Sequence, residues 1–174
     1  MIPRVYIESC WFIEAARFDL RGTASEPGRE REVAFLKVIL EASRDGEVDV
    51  FTSTLTLAEC LHVGGCADQR VQDLYRGLLS SGRYVTLVQP DVFVCEDARV
   101  LRWQHGISLK GADAVHVASA VTMKCTEFLT CDGKIKRNGE RIAAAYNLRV
   151  LAPSETSCLG EERLQQDLLD SLEE

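Results

Sequence analysis

Apolar and polar positions along the chain follow two rhythms. Short crowded apolar runs, RVYIE, VDVFT, YVTLV, EFLT and LRVL, predict strands over 4–8, 48–52, 84–88, 127–130 and 148–151. Between them, apolar residues recur every three or four positions. That spacing predicts helices over 10–18, 28–44, 54–62, 67–80, 91–105, 111–124, 134–146 and 161–172. Asp91 is placed to open one helix, while Gly46 and Gly106 fall just past the ends of two others. Residues 20–28 carry Gly, Pro and Ser with little periodicity and read as a mobile loop. Strands alternating with helices predict an α/β fold, a three-layer α/β/α domain around a parallel sheet of four or five strands.

At 174 residues the chain has room for one such domain. We place it at 1–152, followed by an acidic helical tail at 153–174, because Pro153 marks a break in composition. The tail looks dispensable for folding from Ser154 onwards. Residues 164, 168, 169 and 172 are leucines on one stripe of it. Hydrophobic residues make up 46% of the chain and charged ones 27%, which excludes a disordered or fibrous class. No apolar window is long enough to span a membrane, and Glu8 interrupts the first apolar run, so neither a membrane segment nor a signal peptide is expected. The expected location is the cytoplasm. The seven cysteines are odd in number and several lie in apolar runs, so they are expected to be reduced and mostly buried. Cys60, His62 and Cys66 match no common zinc spacing.

The net charge of -7 argues against a nucleic-acid partner only until it is divided. Residues 155–174 hold seven acids against one base, Arg163, which leaves the body close to neutral.

Two strands end on a carboxylate, Glu8 in RVYIESC and Asp132 in EFLTCD. In a parallel sheet ligands gather beyond the carboxyl ends of the strands, so both acids are expected at one crevice. Glu59 in TSTLTLAEC and Asp113 in ADAVHVASA are acids in otherwise apolar surroundings and can join them. Each alone reads as a cap or a turn residue. Together they would repel one another at a high cost, which a divalent cation removes. Mg2+ or Mn2+ takes such hard oxygens and activates water towards phosphorus.

These segments carry a resemblance. VYIESCWFI, TSTLTLAEC, LKGADAVHVASA and FLTCDGKI, in that order and spacing, resemble the PIN-domain nucleases, in particular the VapC-type toxins of toxin-antitoxin pairs. The resemblance runs from about residue 4 to 151. It implies the strand order 3-2-1-4-5 and a metal-binding catalytic cluster of Glu8, Glu59, Asp113 and Asp132. It also implies that Ser53 and Thr130 orient carboxylates or water. An endoribonuclease needing Mg2+ or Mn2+ follows, with RNA as substrate, a small antitoxin as partner and a homodimer as the assembly. The family's first acid is usually Asp; Glu8 carries one methylene more, and Glu8→Asp is expected to tighten metal binding. The alternative is a PIN-like interaction module without catalysis.

Lys134, Lys136, Arg137 and Arg141 form a basic run after Asp132, placed where RNA phosphates would need positive charge. His116, one turn beyond Asp113, reads as a structural imidazole against the sheet, with a general base as the other option. No Gly-rich phosphate loop follows the first strand.

Overall fold

The computed structural model describes residues 2–160. Five strands form one parallel sheet in the order β3-β2-β1-β4-β5: β1 is Arg4–Ile7, β2 Asp49–Ser53, β3 Thr86–Val88, β4 Glu127–Leu129 and β5 Arg149–Leu151. The three-layer α/β/α expectation and the implied order both hold. β1 lies in the middle and is buried on both faces, so its near-continuous apolar run is what a central parallel strand requires.

Period-two alternation divides the core. Val5, Ile7 and Val50 pack with α1 (Ser9–Arg21), α2 (Arg29–Arg44) and α4 (Gln69–Leu78). Tyr6, Phe51 and Phe128 face the other way, onto α5 (Val92–His105), α6 (Gly111–Thr122), α7 (Gly133–Arg137) and α8 (Gly139–Tyr146). Asp91 caps α5 by accepting from the Phe93 and Val94 amides, as its position suggests.

Three expectations need correction. The helix read over 54–62 is only α3, Leu55–Glu59. Val63 and Cys66 pair across Gly64 and Gly65, both with positive φ, and that turn draws the chain out of the helix. The helix read over 134–146 is broken at Asn138 into α7 and α8. The loop read over 20–28 begins only at Gly22, because α1 runs to Arg21, and it is anchored at Ser25: Glu14, buried on α1, accepts from the Ser25 amide at 3.0 Å, from its hydroxyl, and from Arg29 at 3.1 Å. Burial pushes the Glu14 carboxyl up, but Ser25 and Arg29 outweigh it and hold it below its ordinary value.

Residues 153–160 also pack on the body. Ser154 binds Glu32 of α2 through its amide at 2.9 Å and its hydroxyl at 2.7 Å, and Cys158 and Leu159 join the α1–α2 side of the core. Buried Glu127 of β4 accepts from Arg149, from the Thr156 hydroxyl, and from Ser157 through its amide at 2.9 Å and its hydroxyl at 2.8 Å. Deletion from Ser154 would therefore strip contacts from the fold. The helix expected over 161–172 lies outside the described residues. Among the described residues, no helix is long and apolar enough to cross a membrane. All seven cysteines are free: Cys60, Cys125 and Cys158 are buried, Cys10 and Cys131 half-buried, and Cys66 and Cys95 exposed.

Candidate metal centre

Glu8 follows the last residue of β1, and its amide donates to the Leu129 carbonyl at 3.0 Å, carrying the ladder one step past the strand. Alternation puts its side chain on the Tyr6 side, at the carboxyl edge of the sheet. The carboxylate is buried and both oxygens are held. Oε1 accepts from the Ser9 hydroxyl at 2.7 Å and Oε2 from the Thr130 hydroxyl at 3.0 Å. Thr130 Oγ1 in turn accepts from the Asp132 amide at 2.9 Å, so one threonine links two strand-end acids. This is the orienting role the resemblance implies for Thr130.

Glu59 ends α3, and its Oε2 lies 2.9 Å from His116 Nε2. Glu8, Glu59 and His116 each offer a ligand atom, and these atoms all lie within 4.8 Å of one another. The His116 hydrogen bond holds the Glu59 carboxyl below its ordinary range against partial burial, and the Ser9 hydroxyl acts in the same direction. Ser53 works at one remove: its hydroxyl accepts from the Leu55 amide at 3.1 Å and so pins the start of the helix that carries Glu59. The Ser53 hydroxyl keeps its own proton to donate.

Asp113 stands in the first turn of α6, one turn before His116. Burial raises its carboxyl above the ordinary value; Asp132 and then Glu8 push the same way, while Lys134 and His116 oppose them. The repulsion expected among these acids is thus felt at Asp113. Asp132 caps α7, its Oδ1 accepting from the Lys134 amide at 2.5 Å and the Ile135 amide at 3.2 Å. It is a helix cap and a neighbour of the other acids at once.

The basic run divides with its helices. Lys134, Lys136 and Arg137 are exposed on α7, with Lys134 near enough to act on Asp113. Arg141, on α8, donates to the Gly106 carbonyl at the end of α5 at 3.0 Å.

His116 is fully buried. Its Nδ1 lies 2.7 Å from the hydroxyl of Tyr6, itself stacked on Phe128 at 5.1 Å. The imidazole is buried against the sheet, as expected, and the ring also touches Glu59, which the sequence reading did not include. Sequence reasoning missed Tyr6, Ser9 and Cys10. All three flank Glu8, and Tyr6 shares its face, so proximity to the acid was the available signal. Cys10 Sγ accepts from the Cys131 amide at 3.0 Å and fixes the turn between Thr130 and Asp132. Burial pushes the Cys60 thiol up to about 12, which suits an apolar core residue and not a zinc ligand.

Glu8 and Glu59 meet at one sheet edge, Asp113 and Asp132 lie outside that close group, and the repulsion Asp113 feels from Asp132 and Glu8 fits a hard divalent cation there. No curated protein is similar enough in sequence to match. The model of the PIN domain matches residues 6–141, well over half of the chain, and the matched segment encloses Glu8, Glu59, Asp113 and Asp132. The chain therefore belongs to the PIN domain family, a family of metal-dependent nucleases.

Proposed function

We propose that this protein is a Mg2+- or Mn2+-dependent endoribonuclease, the toxin of a type II toxin-antitoxin pair. The observation that carries the reading is the meeting of Glu8 and Glu59, with His116, within 4.8 Å at the carboxyl edge of the sheet, with Asp113 near enough to Asp132 and Glu8 to be repelled by them. When bound, the cation would neutralise charge at the scissile phosphate and lower the pKa of a water molecule. Glu8, Glu59, Asp113 and Asp132 would hold it. Ser9 and Thr130 keep Glu8 from rotating away, and Asp132 stays fixed through its bonds to the α7 amides. Exposed Lys134, Lys136 and Arg137 beside the acids give RNA phosphates a place to sit. Single-stranded or looped RNA suits the site best, because an unstacked backbone can enter an acidic crevice. A small antitoxin partner and a homodimer belong to the same reading and rest on the likeness of the four motifs to VapC-type toxins.

Asp113→Asn tests it. The amide keeps the size and loses the charge, so cleavage of single-stranded RNA with Mg2+ or Mn2+ should fall by on the order of 100-fold or more, with an unchanged melting temperature. Chelation by EDTA should do the same to the unsubstituted protein. An intact chain that cleaves no RNA with either metal would favour the interaction module without catalysis.

A further inference from the structure

Three side chains from three elements form a buried chain of hydrogen bonds: Tyr6 of β1, His116 of α6 and Glu59 at the end of α3. Tyr6 Oη lies 2.7 Å from His116 Nδ1, and His116 Nε2 lies 2.9 Å from Glu59 Oε2. Tyr6 and His116 are almost wholly shut off from solvent. A carboxylate can only accept, so the proton between ring and acid sits on Nε2. Nδ1 then carries the lone pair, and the phenol donates to it. The geometry points to His116 as a positioning residue: held in the Nε2–H tautomer by Glu59 and fixed in the core by Tyr6, it aims Glu59 at Glu8 and offers no lone pair of its own to a cation.

Proximity alone suggests otherwise, since the His116 nitrogen is as close to the two glutamates as any ligand atom would be. The hydrogen-bond bookkeeping decides against ligation. Nε2 would have to give up both its proton and Glu59, and Nδ1 faces the Tyr6 hydroxyl inside the core. The hard cations that suit the carboxylates also prefer oxygen. An outer partner of this kind matters through the ligand it orients. Here it matters more than usual because α3 is only five residues long, its N-cap Thr54 makes no side-chain cap, and the Ser53 hydroxyl holds only the amide at its start. His116 supplies the anchor at the far end. The inference rests on the nuclease reading only in treating Glu59 as a metal ligand.

Nitrogen-15 NMR of the full-length protein reads the tautomer directly, with and without Mg2+, and titration calorimetry reads Mg2+ affinity. The His116 ring should show the Nε2–H tautomer in both states. Tyr6→Phe should leave the Nε2–H tautomer in place, since Glu59 still accepts from it, but free the ring to shift and weaken Mg2+ binding several-fold. His116→Ala should weaken it by about tenfold, while His116→Gln, whose amide can donate in place of Nε2–H, should restore most of the loss. An Nδ1–H tautomer, loss of the Nε2 proton on adding Mg2+, or His116→Ala binding Mg2+ as tightly as the unsubstituted chain would overturn the assignment. If His116→Ala fails to fold, the tautomer in the unsubstituted protein decides. RNA left uncut while tautomer and affinities behave as stated would count against the endoribonuclease reading and support this one.

Discussion

Glu8 is where the chain departs from the pattern it resembles, and its surroundings reverse the expectation drawn from that departure. Ser9 and Thr130 meet its two oxygens at 2.7 and 3.0 Å, at the reach of the longer side chain. Shortening it by one C–C bond, about 1.5 Å, withdraws the carboxylate from at least one hydroxyl and leaves that group unpaired in a buried place. Glu8→Asp should therefore weaken Mg2+ binding by roughly 10-fold in a calorimetric titration; tighter binding would show that Glu8 is a compromise. Glu14 gives a second test, of stability instead of chemistry. Its carboxyl is held below the ordinary value of 4.5 in the folded chain, so the folded state favours the ionised form. The resulting stability is fully present above about pH 4.5 and is lost as pH falls through the lower folded value. Glu14→Gln should cost about 1–2 kcal/mol at neutral pH in urea unfolding, and the gap should close towards pH 3. A gap that stays constant with pH would mean that shape, not charge, anchors Ser25.

Between α7 and α8 the chain turns on Asn138. Its Nδ2 donates to the Lys134 carbonyl at 2.9 Å and its Oδ1 accepts from the Ser108 amide at 3.2 Å, so one side chain closes a helix and holds the segment leading into α6. Asn138→Ala should lower stability by about 1–2 kcal/mol in chemical denaturation, and hydrogen exchange at the Ser108 amide should quicken. Unchanged exchange there would remove Asn138 from that role. The break was invisible in the sequence for a physical reason. Ile135 and Ile142 are both fully buried and stand seven positions apart, so the apolar stripe runs on while the backbone does not. Gly139 lets the start of α8 lie close against β5, since a Cβ there would come within 3.3 Å of Val150 Cβ. A contact with a strand so distant leaves no trace in local periodicity. The strands were legible because each is a short apolar run bounded by polar residues. Asp132 was legible as an acid at a strand end, yet its capping bonds follow from the amides of Lys134 and Ile135, which any sequence supplies.

Over the whole molecule, the expected division at Pro153 is followed by residues 154–160 that keep contacts with the body. A chain ending at Gly160 keeps Ser154 on Glu32, the partners of Glu127, and Leu159 in the core. One ending at Pro153 should lose on the order of 3 kcal/mol or more, because Glu127 keeps Arg149 alone and the groove that held Leu159 is emptied. Thermal melts of the two truncations check this; equal melting temperatures would show that residues 154–160 add nothing. The composition break at Pro153 was readable, but the contacts of Thr156 and Ser157 reach back to β4, a pairing no composition reveals. A further consequence lies in β1, the first strand made and the central one. Its neighbours arrive late: β2 pairs from Asp49 and β4 only from Glu127. Glu8 waits for Thr130, 122 positions away, before its second hydroxyl exists. On a ribosome emitting the chain from its N-terminus, the acids cannot be assembled until most of the protein has emerged. A nascent or prematurely ended chain thus lacks the assembled set of strand-end acids.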